Sequence, residues 1–291
     1  MKIIALLLVL AWPISASLGE ESPVADQLHI VGVGAHPDDV AFGAGGVIAS
    51  YVKRGHRATI LNVTFGETVR PPGPEQQEAK RIRRKEGEDI ARKLGAEVSF
   101  LGWPANTIIP SWEMKVMLVN ALRKLQANVI LFTCPWDTHA DHRNLSAAMK
   151  DVIYYVGHPG MAFDAPPCNL RSAWMYSIEA DTDELHQPDL LFDVSEVFDI
   201  KLASLTNTRP IFSWADAALD KLKIINGFWG LRCHVKYAEP LYQSWGSMKV
   251  AALTRDHYRV RELPLIPIPK PSANPAKEKS LPTPAKAAPE K

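Results

Sequence analysis

The sequence predicts an α/β fold built on a mostly parallel sheet, and three observations predict it. Residues 28–34 and 128–133 are apolar runs that read as buried strands. Residues 29–64 alternate strand, helix and strand, the unit that makes parallel sheets. Each apolar run ends in a His/Asp cluster, Ala35-His36-Pro37-Asp38-Asp39 in one case and His139-Ala140-Asp141-His142 in the other. Open α/β sheets place ligands at the carboxyl edge of their strands, so the two clusters are expected to meet there.

The elements follow in order. Residues 29–34 form the first strand. Gly43, Gly45 and Gly46 then let backbone pass close to a ligand or pack tightly. Residues 47–54 read as a helix stopped by Gly55, and 58–64 as the second strand. Pro71-Pro72-Gly73-Pro74 marks a loop. Residues 75–94 are helical and charged, with Arg81, Arg83, Arg84 and Lys85 among Glu78, Glu86, Glu88 and Asp89, as on a solvated face. Gly95 closes this helix; 97–101 is a short strand and 103–110 a loop.

Residues 112–126 carry Met114, Met117, Leu118, Ala121, Leu122 and Leu125 at helical spacing, a core-facing stripe. After the strand ending at Thr133, 145–156 reads as a helix and 157–169 as a Pro- and Gly-rich loop. Strands are expected at 171–178 and 190–194, and helices at 195–206, capped by Ser195, and 214–225. Residues 228–246 carry Trp229, Tyr237, Tyr242 and Trp245 without a clear element.

The chain has 291 residues, 46% hydrophobic and 22% charged, enough for a sizeable core. A net charge of +1 gives no electrostatic case for nucleic acid. Lys2, the apolar run 3–12 and the small residues around Ala16 read as a signal peptide over 1–17. An uncleaved membrane anchor is the other reading of that segment. The body is expected at 18–263, and 264–291 as a Pro/Ala/Lys-rich disordered tail, passive or touching the cell envelope.

Cys134, Cys168 and Cys233 make no disulfide framework, although Cys168 and Cys233 could pair in an exported chain. The sequons at Asn62 and Asn144 fall in a predicted buried strand and beside the second cluster. Glycans there conflict with the fold, which favours a bacterial periplasmic or extracellular protein.

The two clusters supply the parts of a hydrolytic metal site. A catalytic zinc needs three protein ligands and one open position. His36 and Asp39 can reach one ion from the turn after the first strand, with His142 as the third ligand. Asp38, beside a ligand, is the candidate base for water activated by the ion. His139, one helical turn before His142, can donate to a developing oxyanion or a leaving amine as an imidazolium. Asp141 can orient an imidazole.

At these residues the chain resembles the PIG-L/LmbE-like family of zinc-dependent de-N-acetylases. The resemblance spans about 27–242. It rests on Ala35-His36-Pro37-Asp38-Asp39 with Gly43-Ala44-Gly45-Gly46, on Thr64-Phe65-Gly66-Glu67, on Arg83-Arg84-Lys85-Glu86 leading to Leu94-Gly95, and on Asp141-His142-Arg143. Asp193, Asp199 with Lys201, and Tyr237-Ala238-Glu239 are weaker echoes. It implies a Rossmann-like three-layer sandwich and hydrolysis of the acetamide of N-acetylglucosamine conjugates or related amides.

By resemblance, one Zn2+ per chain, or another divalent metal, is held by His36, Asp39 and His142. Asp38 is then the base, His139 the oxyanion-stabilising acid, and Arg83 lies near substrate. The chain departs from the family's pattern at Val40-Ala41, Ala105-Asn106 and Thr206-Asn207-Thr208-Arg209-Pro210. These departures bear on substrate and oligomer contacts, not on the ligands.

The expected function is therefore an exported zinc amidohydrolase that removes an acetyl or other acyl group from a free or lipid-linked amino sugar. Metal-activated water attacks the amide carbonyl, and Trp103, Trp136 and Trp229 offer a sugar platform. The alternatives are a zinc amidase for another amide, such as a thiol-sugar conjugate, and a non-catalytic carbohydrate-binding protein that keeps the fold.

Overall fold

The computed structural model describes residues 27–67, 73–178, 186–206 and 215–244. The expected signal peptide at 1–17, the tail at 264–291, Asn207 to Pro210 and Trp245 lie outside these residues. Among the described residues no helix is long and apolar enough to cross a membrane.

One seven-stranded sheet organises the chain, in the order β3-β2-β1-β4-β5-β7-β6. β1 (His29–Gly34), β2 (Arg57–Thr64), β3 (Glu97–Trp103), β4 (Val129–Thr133) and β5 (Ser172–Tyr176) pair in parallel. β7 (Ala238–Gln243) runs antiparallel between β5 and β6 (Leu190–Asp193). β7 is the strand that the aromatic stretch 228–246 concealed, since Pro240 and Glu239 break its apolar pattern.

Strand periodicity fills both faces of the sheet. Val31, Val33, Leu61, Val63, Ile130 and Phe132 face α3 (Trp112–Leu125) and α4 (Ala140–Val156). Ile30, Ala58, Ile60, Val129 and Leu131 face α1 (Asp39–Lys53), α2 (Pro74–Leu94) and α5 (Phe198–Leu205). The result is the expected three-layer sandwich. The last helix among the described residues, α6 (Ala215–Arg232), contributes Leu222 to the second face.

Three helix starts differ from the sequence reading. α1 begins at Asp39 rather than Val47, and is broken at Ala44 (φ −143°, ψ 18°). Small residues allow the break to sit deep: a Cβ on Gly43 would lie 2.1 Å from the Tyr176 ring, and one on Gly46 2.5 Å from Val194. The amides that reopen the helix, Gly46 N and Val47 N, donate to the two oxygens of Glu239 at 2.9 and 2.8 Å. A carboxylate at a helix N-terminus satisfies orphan donors and the positive end of the dipole together.

Lys201 Nζ in turn reaches Glu239 Oε1 at 2.6 Å and Asn226 Oδ1 at 3.1 Å, with Lys201 and Glu239 both fully buried. α4 begins at Ala140, five residues before the predicted start, because His139 caps it. α5 begins at Phe198, and Ser195 is not its cap. The Ser195 hydroxyl instead accepts from Lys236 N and Tyr237 N at 3.1 and 3.0 Å.

All three cysteines are free thiols, so Cys168 and Cys233 are not paired. Asn62 is fully buried, as its place in a central strand requires.

Candidate active site

The strand order reverses between β1 and β4, and both His/Asp clusters follow these two strands. This is the switch point where open α/β sheets leave a crevice at their carboxyl edge. The β1 cluster forms a turn into α1, closed by His36 N donating to Asp39 Oδ2 at 2.9 Å. The β4 cluster is the N-terminal turn of α4. It is held to the strand by Thr133 Oγ1 donating to His142 O at 2.9 Å.

Three side-chain atoms converge across the seam. His36 Nδ1 is 3.1 Å from His142 Nε2, and Asp39 Oδ1 is 3.5 and 3.2 Å from those nitrogens. In a tetrahedral site with bonds of about 2.0–2.1 Å, ligand atoms stand about 3.3–3.4 Å apart. The triangle therefore has the dimensions of one face of such a site. His139 adjoins it, with one ring nitrogen from each of His36, His139 and His142 within 4.8 Å of the others.

His139 differs from the other two rings. Its Nδ1 accepts from Asp141 N at 3.1 Å, so that nitrogen carries no proton. Burial, then the neighbouring His36 and His142 charges, lowers its pKa below the usual histidine value. Nε2 is then the ring's free donor, where the imidazolium expected from the sequence needs a proton on Nδ1 as well.

The charge balance favours a cation. Burial opposes the charged form of His36, but Asp39 and then Asp141 outweigh it and raise the pKa to about 9. Burial likewise opposes His142, but Asp39 and Asp137 raise it to about 10. Asp39, although desolvated, is held well below the usual carboxylate range by His142 and His36. Three carboxylates thus surround two imidazoles, the donor set that a divalent ion suits.

The remaining predicted residues take defined places. Asp141 Oδ2 lies 3.2 Å from His36 Nε2, the orienting contact read from the sequence. The same carboxylate accepts from Asn106 N at 2.6 Å and Ile108 N at 3.2 Å, which pins the β3–α3 loop to the site. Asn106 adopts φ 61° there. Asp38 Oδ1 accepts from Arg83 Nη2 at 2.8 Å.

Arg83 itself is buried between Asp38 and Glu86. Its guanidinium holds the candidate base, where the resemblance led us to expect a contact with substrate. Burial raises the Glu86 pKa to about 7, against the opposing pull of Arg83.

Two contributors were missed in the sequence. Glu86 carried a signal, being three residues after Arg83 on one helix face. Asp137 carried less, standing two residues before His139 in an irregular turn. It is 2% exposed, and its Oδ1 lies 2.9 Å from His142 Nδ1.

The aromatic residues divide. Trp136 stacks on His186 with centroids 4.0 Å apart and planes at 4°, and meets the Tyr242 ring edge-on. Trp103 Nε1 donates to Thr107 O on the β3–α3 loop. Trp229 is buried on α6 beside Phe228 and Arg232, and so is no part of an open platform.

Known proteins share this sequence pattern and fold. Residues 31–153 match the family model PIG-L, described as GlcNAc-PI de-N-acetylase. Diacetylchitobiose deacetylase of Thermococcus kodakarensis is 24% identical over 65% of this chain and 72% of its own. A probable N-acetyl-alpha-D-glucosaminyl L-malate deacetylase 2 of Bacillus cereus is 27% identical over 70% of this chain and 97% of its own. The solved structure of N,N'-diacetylchitobiose deacetylase from Pyrococcus horikoshii shares the fold, with a TM-score of 0.66, 24% identity, and coverage of 77% of this chain and 86% of that one.

Proposed function

On the premise that residues 31–153 form a PIG-L family domain, we propose that this chain is an exported zinc-dependent N-deacetylase. Its substrate would be an N-acetylated amino sugar or glycoconjugate. The observation that carries the reading is the triangle of His36 Nδ1, His142 Nε2 and Asp39 Oδ1, with sides of 3.1 to 3.5 Å. The two relatives support the substrate class, since both are named as deacetylases of N-acetylated sugars. Export rests on the composition of residues 1–17.

In this reading His36, Asp39 and His142 hold the ion. An ion there supplies Lewis acidity toward the amide oxygen and lowers the pKa of water. Asp38 takes the proton that the attacking water gives up and passes it toward the leaving nitrogen. Arg83 holds Asp38 in place, with Oδ1 committed to the guanidinium. His139 donates Nε2–H to the developing oxyanion as a neutral ring, as its Nδ1 acceptor contact requires. Asp141 aligns His36 and holds the β3–α3 loop over the crevice. The Trp136–His186 pair offers a flat face for the apolar side of a pyranose.

The test pairs metal content with acetate release. Purified protein should carry about one zinc per chain, as a three-ligand catalytic site requires. It should release acetate from at least one of a panel of N-acetyl sugars, and a chelator should stop that release. Zinc binding without release from any sugar would point to a different amide, such as a thiol-sugar conjugate. Neither zinc nor release would leave a carbohydrate-binding protein.

A further inference from the structure

Each proposed metal-binding histidine has a carboxylate behind it, and the two use opposite ring nitrogens. His36 turns Nδ1 to the triangle and Nε2 to Asp141 Oδ2, 3.2 Å away. His142 turns Nε2 to the triangle and Nδ1 to Asp137 Oδ1, 2.9 Å away. Resting on the metal reading above, we propose that Asp137 is the positioning residue that sets the tautomer and angle of His142.

The simpler account of Asp137 is an Asx turn that starts α4. Its Oδ1 does accept from His139 N, at 2.8 Å. That turn needs only an oxygen acceptor, which an asparagine supplies without charge. A carboxylate that is 2% exposed is costly to bury unless a cation or a strong donor faces it. The His142 ring is that group, with Nδ1 2.9 Å from Asp137 Oδ1.

With the proton held on Nδ1, Nε2 keeps its lone pair for the ion. The negative charge behind the ring also makes that lone pair more basic. One side chain thereby sets two histidines. It fixes the His139 backbone through the turn and the His142 ring through the ion pair.

Asp137→Asn keeps an oxygen for the His139 amide and removes the charge that faces His142 Nδ1. The full-length variant and wild type are titrated with zinc in competition with a chromophoric chelator. Far-ultraviolet circular dichroism checks the fold. We expect zinc affinity to fall about 10- to 100-fold, the usual loss when such a partner is removed.

Equal affinity in the folded variant overturns the positioning role alone. A wild type that binds no zinc overturns the metal reading, and this inference with it. Zinc-loaded wild type labelled with 15N-histidine gives a readout that needs no variant. His142 should carry a slowly exchanging proton on Nδ1, and coordination through Nδ1 would overturn the assignment.

Discussion

Two of the buried charge clusters among the described residues are balanced differently. At the break in α1, Lys201, Glu239 and Asn226 form a closed set. Every charged atom there has a protein partner, with Lys201 bonded at 2.6 and 3.1 Å and both Glu239 oxygens accepting backbone amides. At the strand seam, Asp39, Asp137 and Asp141 surround His36 and His142 and leave negative charge in excess. The seam is the less deeply buried of the two: the His36 side chain is 12% exposed, while Lys201 and Glu239 are fully enclosed. Burial of charge therefore does not mark a functional site here; the imbalance does. The closed set shapes the helix that carries Asp39, and the open set waits for a cation.

The strongest way to break this contrast is at the base. Asp38→Ala should lower kcat for acetate release by about 10²- to 10⁴-fold, the range for lost general acid–base catalysis. Zinc content should stay at the wild-type level. A variant that turns over like wild type removes Asp38 from the reaction.

At the closed cluster the expected effect is on stability. Lys201→Met leaves the Glu239 carboxylate buried without its cation, which should cost about 3–5 kcal/mol in denaturant unfolding. Zinc affinity per folded molecule should not change. A fall in affinity comparable to that of Asp137→Asn would show that the clusters are one network.

The third test is pH. In the metal-free protein the His36 and His142 pKa values are raised to about 9 and about 10 from 6.5. Their ion pairs therefore stabilise that form fully below about pH 6.5, and the contribution is lost as pH rises through 9 to 10. Zinc requires neutral rings, so the sign for binding is opposite. Affinity should climb with pH from 6 to 9, by up to about tenfold per unit for each proton displaced. Calorimetry in buffers of different ionisation heat should count one to two protons released at pH 7. Affinity that is flat with pH would contradict the protonation states assigned to both rings.

The smallest effect is steric. Gly43→Ala puts a methyl group 2.1 Å from the Tyr176 ring, a ring also held by its hydroxyl to Val33 O at 2.9 Å. Overpacking of this kind should cost about 1–3 kcal/mol in thermal or denaturant unfolding. Wild-type stability in that variant would mean that the α1 break tolerates larger residues than the sequence uses.

Much of this was legible in the chain because it follows from period and punctuation. The apolar runs gave β1 and β4, and the clusters after them gave every member of the converging triangle. Gly55 and Gly95, both at positive φ, ended the helices where glycine is expected to. What failed was context. Asp39 opens a helix whose glycine-rich break at Ala44 hid its first turn, and that break is stabilised by Glu239, about 190 residues away. Arg83 was set apart only by the resemblance, which put it near substrate, and packing places it beside Asp38 instead. Asp137 is a turn residue by composition and shows its second partner only once α4 folds back toward β4. In each case the deciding neighbour is distant in sequence, and no periodicity encodes it.

The seam between β1 and β4 has a consequence for how the molecule comes together. His36 and His142 stand 106 residues apart in the chain, yet their ring nitrogens meet at 3.1 Å. Neither half of the chain holds three ligands alone, so a tight site is absent until those two strands are side by side. An ion that binds only the finished seam stabilises the native state by mass action, by about 4 kcal/mol at a thousand times its dissociation constant. Zinc capture would then time the pairing of β1 with β4 during refolding, and a stopped-flow zinc indicator would follow one strand contact in a chain that has many.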